Sequence, residues 1–408
     1  MTEQALEISS ASEDSHARRN AFILSAASAI NGGIPPIGIT LGGLAGIYLL
    51  GPDKSLATLP VSGFNLGVAA GAIPAALLMR RIGRRYGFMT GTLFAMIGGI
   101  VAGMAVILGQ FWILFAGFLT VGLSTSFVQQ YRFAAADSGD AAFRAKAISW
   151  VMMGGIAAAI IGPQTVIFTR NLLDPIPFAG SFFAMSALAV IGFLVLTLLG
   201  GGAREAPKVE AMSGGRPLSE IARQPRFIVA VVCAMGSYAL MALVMTAAPL
   251  AMVACGLGED NAALGIQWHV LAMFGPSFIT GRLIARFSAE TIITVGLALL
   301  AGCGAVALAG IDLANFWLAL ILLGVGWNFG FIGATAMLTQ TYRPEERGKV
   351  QGLNDFLVFG TVAVASFSSG TLFSTLGWDW INIVVFPVVG LCLLGVMVAV
   401  FARRRMPV

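Results

Sequence analysis

Charged residues are scarce in this chain of 408 residues: only 11% are Asp, Glu, Lys or Arg, whereas 58% are hydrophobic. A typical soluble domain has about 25% charged residues. The chain therefore has too little polar side chain to cover a surface that faces water, which excludes a soluble enzyme, and it is too apolar to be disordered. The solvent for most of its surface is predicted to be lipid.

Residues that bind metals or carry redox chemistry are also few. The chain has two histidines, His16 and His269, and four isolated cysteines without a Cys-x-x-Cys spacing. A metal site is therefore not expected, and the cysteines are interpreted as packing residues. Neither a Walker glycine loop nor a Gly-x-Ser-x-Gly elbow is present, which argues against an ATP-driven pump and against an enzyme. No cofactor and no nucleic-acid partner are expected.

Long apolar segments are what the sequence has in abundance. About 20 apolar residues form a helix that crosses a bilayer, and helices of this length satisfy their own backbone groups in lipid. Twelve membrane-spanning helices are predicted. They cover residues 21–50, 57–79, 88–108, 111–135, 146–169, 178–200, 227–254, 262–285, 290–310, 315–339, 350–374 and 379–402.

The basic residues indicate how these spans are oriented and grouped. With both termini in the cytoplasm, every Lys and Arg except Lys54 and Arg170 falls on the cytoplasmic side, as the positive-inside rule requires. The longest connection is rich in Pro and Gly, and its end, 218–226, is predicted to be a short surface helix. The predicted organisation is a cytoplasmic tail (1–20), a six-helix bundle (21–200), a cytoplasmic linker (201–226), a second six-helix bundle (227–402) and a basic cytoplasmic tail (403–408).

The two halves share a short sequence pattern. Arg144-Ala-Lys146 follows span 4, and Arg347-Gly-Lys349 follows span 10, 203 residues later. This offset is about the length of one half of the chain, and each half contains six predicted helices. Two parallel six-helix halves around a central cavity are typical of a class of secondary transporters.

The loop between spans 2 and 3 carries a family resemblance. Residues 76–85 are similar to the pattern Gly-x-Leu-x-Asp-Arg-x-Gly-Arg-Arg of the major facilitator superfamily, and the resemblance of the chain extends over about residues 20–402. The matching residues are Leu78, Arg81, Gly83, Arg84 and Arg85. The resemblance implies the twelve-helix fold of that family and a conformational-latch role for this loop. The family's aspartate is replaced by Arg80 here and by Ala285 in the second half, which puts a charge latch of the usual kind in doubt.

Charged groups at membrane depth are the first functional candidates, because burying an ion in lipid costs at least about 2.5–3.5 kcal/mol. Arg132 shares a helix face with Gln129 near the inner end of span 4 and is predicted to bind a carboxylate or carbonyl group of a solute. The alternatives are snorkelling to the interface and a structural pair with Asp137. Asp355 lies six residues beyond Lys349 and is the candidate for proton coupling. Its alternative is a fixed salt bridge to an inner-loop arginine.

His269 is a second candidate for proton coupling, against the alternative of a packing residue with one hydrogen bond. Amides and aromatic rings at membrane depth suit a flat polar solute, although each can equally join two helices. The full predicted solute-binding set is Gln129, Gln130, Tyr131, Arg132, Asn31, Asn65, Gln164, Tyr238, Trp327, Asn328 and Asn354.

These observations predict a monomeric secondary active transporter in the inner (plasma) membrane of a bacterium, working by alternating access. Uptake of a small organic nutrient such as a vitamin, by proton symport, is favoured. Drug or metabolite efflux by proton antiport is the alternative within this class. An uncoupled facilitator or channel-like protein is the alternative outside it.

Overall fold

The computed structural model describes residues 3–52, 54–136, 141–200 and 215–404, and within these ranges every regular element is helical. In chain order the helices are α1 (Glu3–Asn31), α2 (Ile34–Leu49), α3 (Leu59–Ile82), α4 (Arg84–Ile107), α5 (Phe111–Val128), α6 (Tyr131–Ala136), α7 (Ala141–Thr169), α8 (Ala179–Thr197), α9 (Leu218–Ala222), α10 (Pro225–Ala254), α11 (Gly258–Phe274), α12 (Ser277–Phe287), α13 (Ala289–Ala309), α14 (Leu313–Leu338), α15 (Arg347–Leu376), α16 (Trp378–Ile383) and α17 (Val385–Arg404).

The prediction of an all-α membrane protein is confirmed. Within the described ranges, eleven helices or continuous helix pairs are long and apolar enough to cross a bilayer. The bent pair α11 and α12 makes a twelfth span, with an angle of 42° between its two parts. The orientation of the termini stays a prediction.

The chain forms two compact units. Unit 1 contains Met1–Leu41 and Leu66–Lys208, and unit 2 contains Gly42–Asn65 and Val209–Val408. The predicted bundle boundaries remain a prediction, and the outer end of span 1 and the start of span 2 belong to unit 2. Residues 201–214 of the predicted linker lie outside the described ranges, whereas the expected short helix at its end is present as α9.

Two local features differ from the sequence-based expectations. Helix α1 begins at Glu3, inside the segment expected to be a tail. Ala, Glu and Leu favour helix there, and an apolar span that is already helical extends at little cost because its nucleus exists. Cys255 is exposed, while Cys233, Cys303 and Cys392 are buried as packing residues.

Glycines let neighbouring spans approach closely in both units. In unit 1, a Cβ on Gly117 of α5 would lie 2.9 Å from the carbonyl oxygen of Gly98 in α4. In unit 2, a Cβ on Gly296 of α13 would lie 2.4 Å from the backbone nitrogen of Gly330 in α14. Small residues at such contacts let the helix backbones pack closely. Van der Waals packing of this kind holds helices together in lipid, where the hydrophobic effect does not.

Candidate functional site

Two of the predicted solute-binding residues of unit 1 contact each other. Asn31 ends α1 at the break before α2, and its Nδ2 donates a hydrogen bond to Tyr131 Oη at 3.1 Å. Tyr131 is buried, and its ring packs edge-on against Phe88. Asn31 Oδ1 lies against Gly192 of α8, where a Cβ would be 2.1 Å away. The pair therefore joins α1 to α6 inside unit 1.

The other predicted solute-binding residues of unit 1 are more exposed than Asn31 and Tyr131. Gln129 lies in the turn between α5 and α6, and Arg132 lies in α6. Both are exposed and Gln130 is half-buried, and the common helix face of Gln129 and Arg132 stays a prediction. Gln164 on α7 is half-buried as well. Asp137, the alternative partner for Arg132, lies outside the described residues.

In unit 2, four aromatic rings meet where three helices face each other. We call Tyr238 of α10, Trp327 and Phe331 of α14, and Phe359 of α15 the aromatic cluster. Trp327 and Phe331 stack with centroids 5.3 Å apart, and Tyr238 meets both of them edge-on at 5.2 and 5.1 Å. Phe359 packs against Tyr238 at 5.7 Å.

One polar atom of the aromatic cluster is left without a hydrogen-bond partner in the described part of the chain. It is Trp327 Nε1, which is buried. A buried N–H without an acceptor is costly, so this group is available to a carbonyl oxygen or water molecule that reaches it. The sequence predicted Tyr238 and Trp327 but missed Phe331 and Phe359.

A carboxylate lies one helical turn from the aromatic cluster. Asp355 precedes Phe359 by four residues on α15, so the two side chains share a face. Asp355 is exposed, and its Oδ1 accepts a hydrogen bond of 3.1 Å from Asn354 Nδ2. Asn354 itself is buried. The carboxylate of Asp355 is thus exposed at membrane depth.

Asn328 makes three hydrogen bonds inside unit 2. Its Nδ2 donates to Met273 O at 2.6 Å and to Ser277 Oγ at 2.7 Å, and its Oδ1 accepts from Thr280 Oγ1 at 2.6 Å. All these partners lie at the bend between α11 and α12. Asn65 bonds within its own helix, because its Nδ2 donates to Val61 O at 3.2 Å.

His269 also joins α11 to α14. Its Nδ1 lies 2.8 Å from Leu320 O. A carbonyl oxygen can only accept, so Nδ1 carries the proton and Nε2 is bare in the neutral ring. Nε2 is buried and meets no partner among the residues described.

Of the residues predicted to form the latch loop, only Gly83 lies outside a helix, between α3 and α4 of unit 1. Leu78 packs against the core around Phe88, and Arg85 Nη2 donates to Thr197 O at 2.6 Å, at the end of α8. A cation there compensates the negative end of the helix dipole. Arg81 is exposed and Arg84 is half-buried.

The same backbone turn occurs in both units. Gly83 precedes α4 with φ 83° and ψ 160°, and Ser288 precedes α13 with φ 84° and ψ 156°. Their separation of 205 residues is close to the offset of the Arg-x-Lys pattern. The glycine of the loop motif is therefore explained by a left-handed φ that favours glycine.

Clusters suited to metal binding are not found in the described ranges, where no three His, Cys, Asp or Glu residues come together.

Comparison with known proteins identifies relatives along nearly the whole chain. The model of the Major Facilitator Superfamily matches residues 20–366 and, in a second match, residues 277–408. The riboflavin transporter RfnT of Brucella anthropi is 53% identical over 382 residues, which cover 92% of this chain and 94% of the relative. The MFS-type transporter YddS of Bacillus subtilis is 30% identical, covering 90% of this chain and 87% of the relative.

A solved structure has the same fold. The nucleoside transporter NupG, in the crystal structure of a point mutant, superposes with a TM-score of 0.73 at 14% identity. The match covers 93% of this chain and 99% of that structure.

Proposed function

Since the chain belongs to the Major Facilitator Superfamily of membrane transporters, we propose that it imports a vitamin of the flavin type, with riboflavin as the first candidate. The proposal includes proton symport by alternating access, a monomeric protein, cytoplasmic termini and residence in the inner membrane. It makes Asp355 the proton-coupling residue.

The aromatic cluster is the observation that carries the substrate class. A flat fused ring system binds best against aromatic side chains, which offer large rigid surfaces at little entropic cost. Trp327 adds a buried N–H donor that suits a ring carbonyl oxygen. The relative from Brucella anthropi, which is named a riboflavin transporter, supports this substrate class.

The position of Asp355 supports proton coupling. Carboxylates are rare within membrane spans, and those that occur there are found in proton relays and ion pathways. Asp355 lies one turn from Phe359 of the aromatic cluster, so solute binding and protonation involve neighbouring groups. The proton carried by Asp355 and the solute would then cross the membrane together.

Uptake of radiolabelled riboflavin into a riboflavin-auxotrophic bacterium tests the function. Cells that express the protein are expected to accumulate the label above the external concentration, and a protonophore is expected to abolish the accumulation. Absence of riboflavin uptake contradicts the substrate. Uptake that equilibrates without accumulation contradicts the coupling and favours a facilitator.

Purified Asp355→Asn in proteoliposomes tests the coupling residue. The variant is expected to lose accumulation driven by a pH gradient while it still exchanges internal for external riboflavin. Asp379→Asn is the matched control, because Asp379 is also exposed but lies in α16 at a span terminus. Normal gradient-driven accumulation by Asp355→Asn refutes the assignment.

A further inference from the structure

We propose that Asn328 is a positioning residue that holds the bent span of α11 and α12 to α14, and that it does not bind the solute. This inference rests on the proposed transport function and assigns a different role to each of two consecutive residues. Trp327 would contact the solute, whereas Asn328 would keep the bend in place during transport.

The bend is a weak point in span 8. Helix α11 ends at Phe274 and α12 begins at Ser277, with Gly275 and Pro276 between them. Proline has no backbone N–H to continue the hydrogen-bond ladder, and the last carbonyl groups of a helix lack intrahelical partners. In lipid such groups need another donor.

Asn328 supplies that donor from the neighbouring helix. Met273 O can only accept, so the amide nitrogen of Asn328 must face it, and this fixes the orientation of the side chain. The second N–H goes to Ser277 Oγ, and the amide oxygen accepts from Thr280 Oγ1. One side chain of α14 thereby binds residues on both sides of the bend.

Three of the four hydrogen-bonding positions of this amide are taken by residues at the bend. Both of its N–H groups are used, its oxygen has a partner at 2.6 Å, and the residue is completely buried. Trp327 is also buried, but its N–H has no protein partner in the described part of the chain and its ring belongs to the aromatic cluster. Consecutive residues point about 100° apart around a helix, which lets one face the solute and the other face α11.

Further contacts along α11 support its attachment to α14. Trp317 Nε1 donates to Asn261 O at 3.2 Å, and His269 Nδ1 donates to Leu320 O at 2.8 Å. With Asn328, these contacts join the two helices at three levels. Asn328 lies at the level where α11 ends, so it decides whether α12 follows the motion of α11 and α14.

The test compares Asn328→Ala with Trp327→Ala in purified protein. Riboflavin binding is measured by quenching of flavin fluorescence, and transport by initial rates in proteoliposomes. Asn328→Ala is expected to lower the maximal rate about tenfold, the effect of losing one to two net hydrogen bonds, while the dissociation constant changes less than twofold. Trp327→Ala is expected to raise the dissociation constant at least tenfold.

A distance measurement reports on the bend without any solute. Spin labels replace the exposed residues Trp268 on α11 and Gly281 on α12 in a cysteine-free background. They are 13 residues apart, or about 20 Å along a straight helix. Pulsed-EPR distances are expected to be narrow with Asn328 present and broad in Asn328→Ala.

A milder variant keeps the test decisive if Asn328→Ala does not fold. Thr280→Val removes the hydroxyl that donates to Asn328 Oδ1, together with its contact to Pro276 O at 2.8 Å. It is expected to lower the maximal rate about threefold. Adding Thr280→Val to Asn328→Ala should lower the rate by less than threefold, because the shared contact is already lost and only the contact to Pro276 O remains to be removed. A tenfold rise in the dissociation constant with unchanged EPR distances, or no change in any measurement, overturns the proposal. If the wild type does not bind riboflavin, the proposed function fails, and the EPR distances still decide the role of Asn328.

Discussion

Replacing Ser288 by glycine is expected to stabilise the protein. Ser288 precedes α13 with φ 84° and ψ 156°, a region of backbone conformation that belongs almost only to glycine. The corresponding turn before α4 has glycine, Gly83, with φ 83° and ψ 160°. The two units thus have the same turn, but in unit 2 the residue at this position is a serine in a strained backbone conformation.

The expected gain follows from three contributions. Relief of the backbone conformation contributes about 1–3 kcal/mol. Glycine also makes the unfolded chain more flexible, and this favours unfolding by about 0.4–1 kcal/mol. Ser288 Oγ accepts a hydrogen bond of 3.3 Å from Thr291 N, and replacing such a cap by glycine costs only a few tenths of a kcal/mol. The net effect is a stabilisation of about 1 kcal/mol.

Thermal unfolding in detergent measures this effect. A gain of about 1 kcal/mol raises Tm by about 1 °C if all 408 residues unfold together, and by more if one unit unfolds alone. Ser288→Ala, which loses the cap and keeps the strain, should lower Tm, and Gly83→Ser should lower it as well. If Ser288→Gly lowers Tm as much as Ser288→Ala does, the backbone argument is wrong.

Two further predictions concern contacts within the units. The Arg216 guanidinium holds the pKa of Glu346 well below its usual range, so this contribution to stability is present above about pH 4.3 and is lost as the pH falls through the lowered pKa. Glu346→Gln should therefore flatten the acid side of a Tm–pH curve, and an unchanged curve contradicts the pairing. Gly192→Ala places a Cβ 2.1 Å from Asn31 Oδ1 and should destabilise by about 1–3 kcal/mol in thermal unfolding. Gly390→Ala, where the space is open, should change Tm little.

The sequence was sufficient to predict the fold class, because few backbone structures are stable in lipid. Long apolar segments must form helices to satisfy their backbone groups, and the twelve predicted spans agree with the helices of the structure. The structure adds that Gly83 of the loop motif has a left-handed φ, a local property of the chain that favours glycine.

The candidate site was predicted less completely from the sequence than the fold was. Phe331 and Phe359 went unnoticed, because 28 phenylalanines in an apolar chain look alike until their neighbours are known. The pattern does contain a signal, since Phe331 lies four residues after Trp327 and Phe359 four residues after Asp355, spacings that share a helix face.

The sequence by itself thus determined which residues are polar at membrane depth, while the tertiary structure decided which of them have partners in the protein. Asn31 and Asn328 have the same side chain, and both were predicted to bind solute. The structure shows Asn31 bonded to Tyr131 and Asn328 bonded across a helix bend. An amide in lipid must find a hydrogen-bond partner, and only the packing of facing helices determines whether the protein already supplies it.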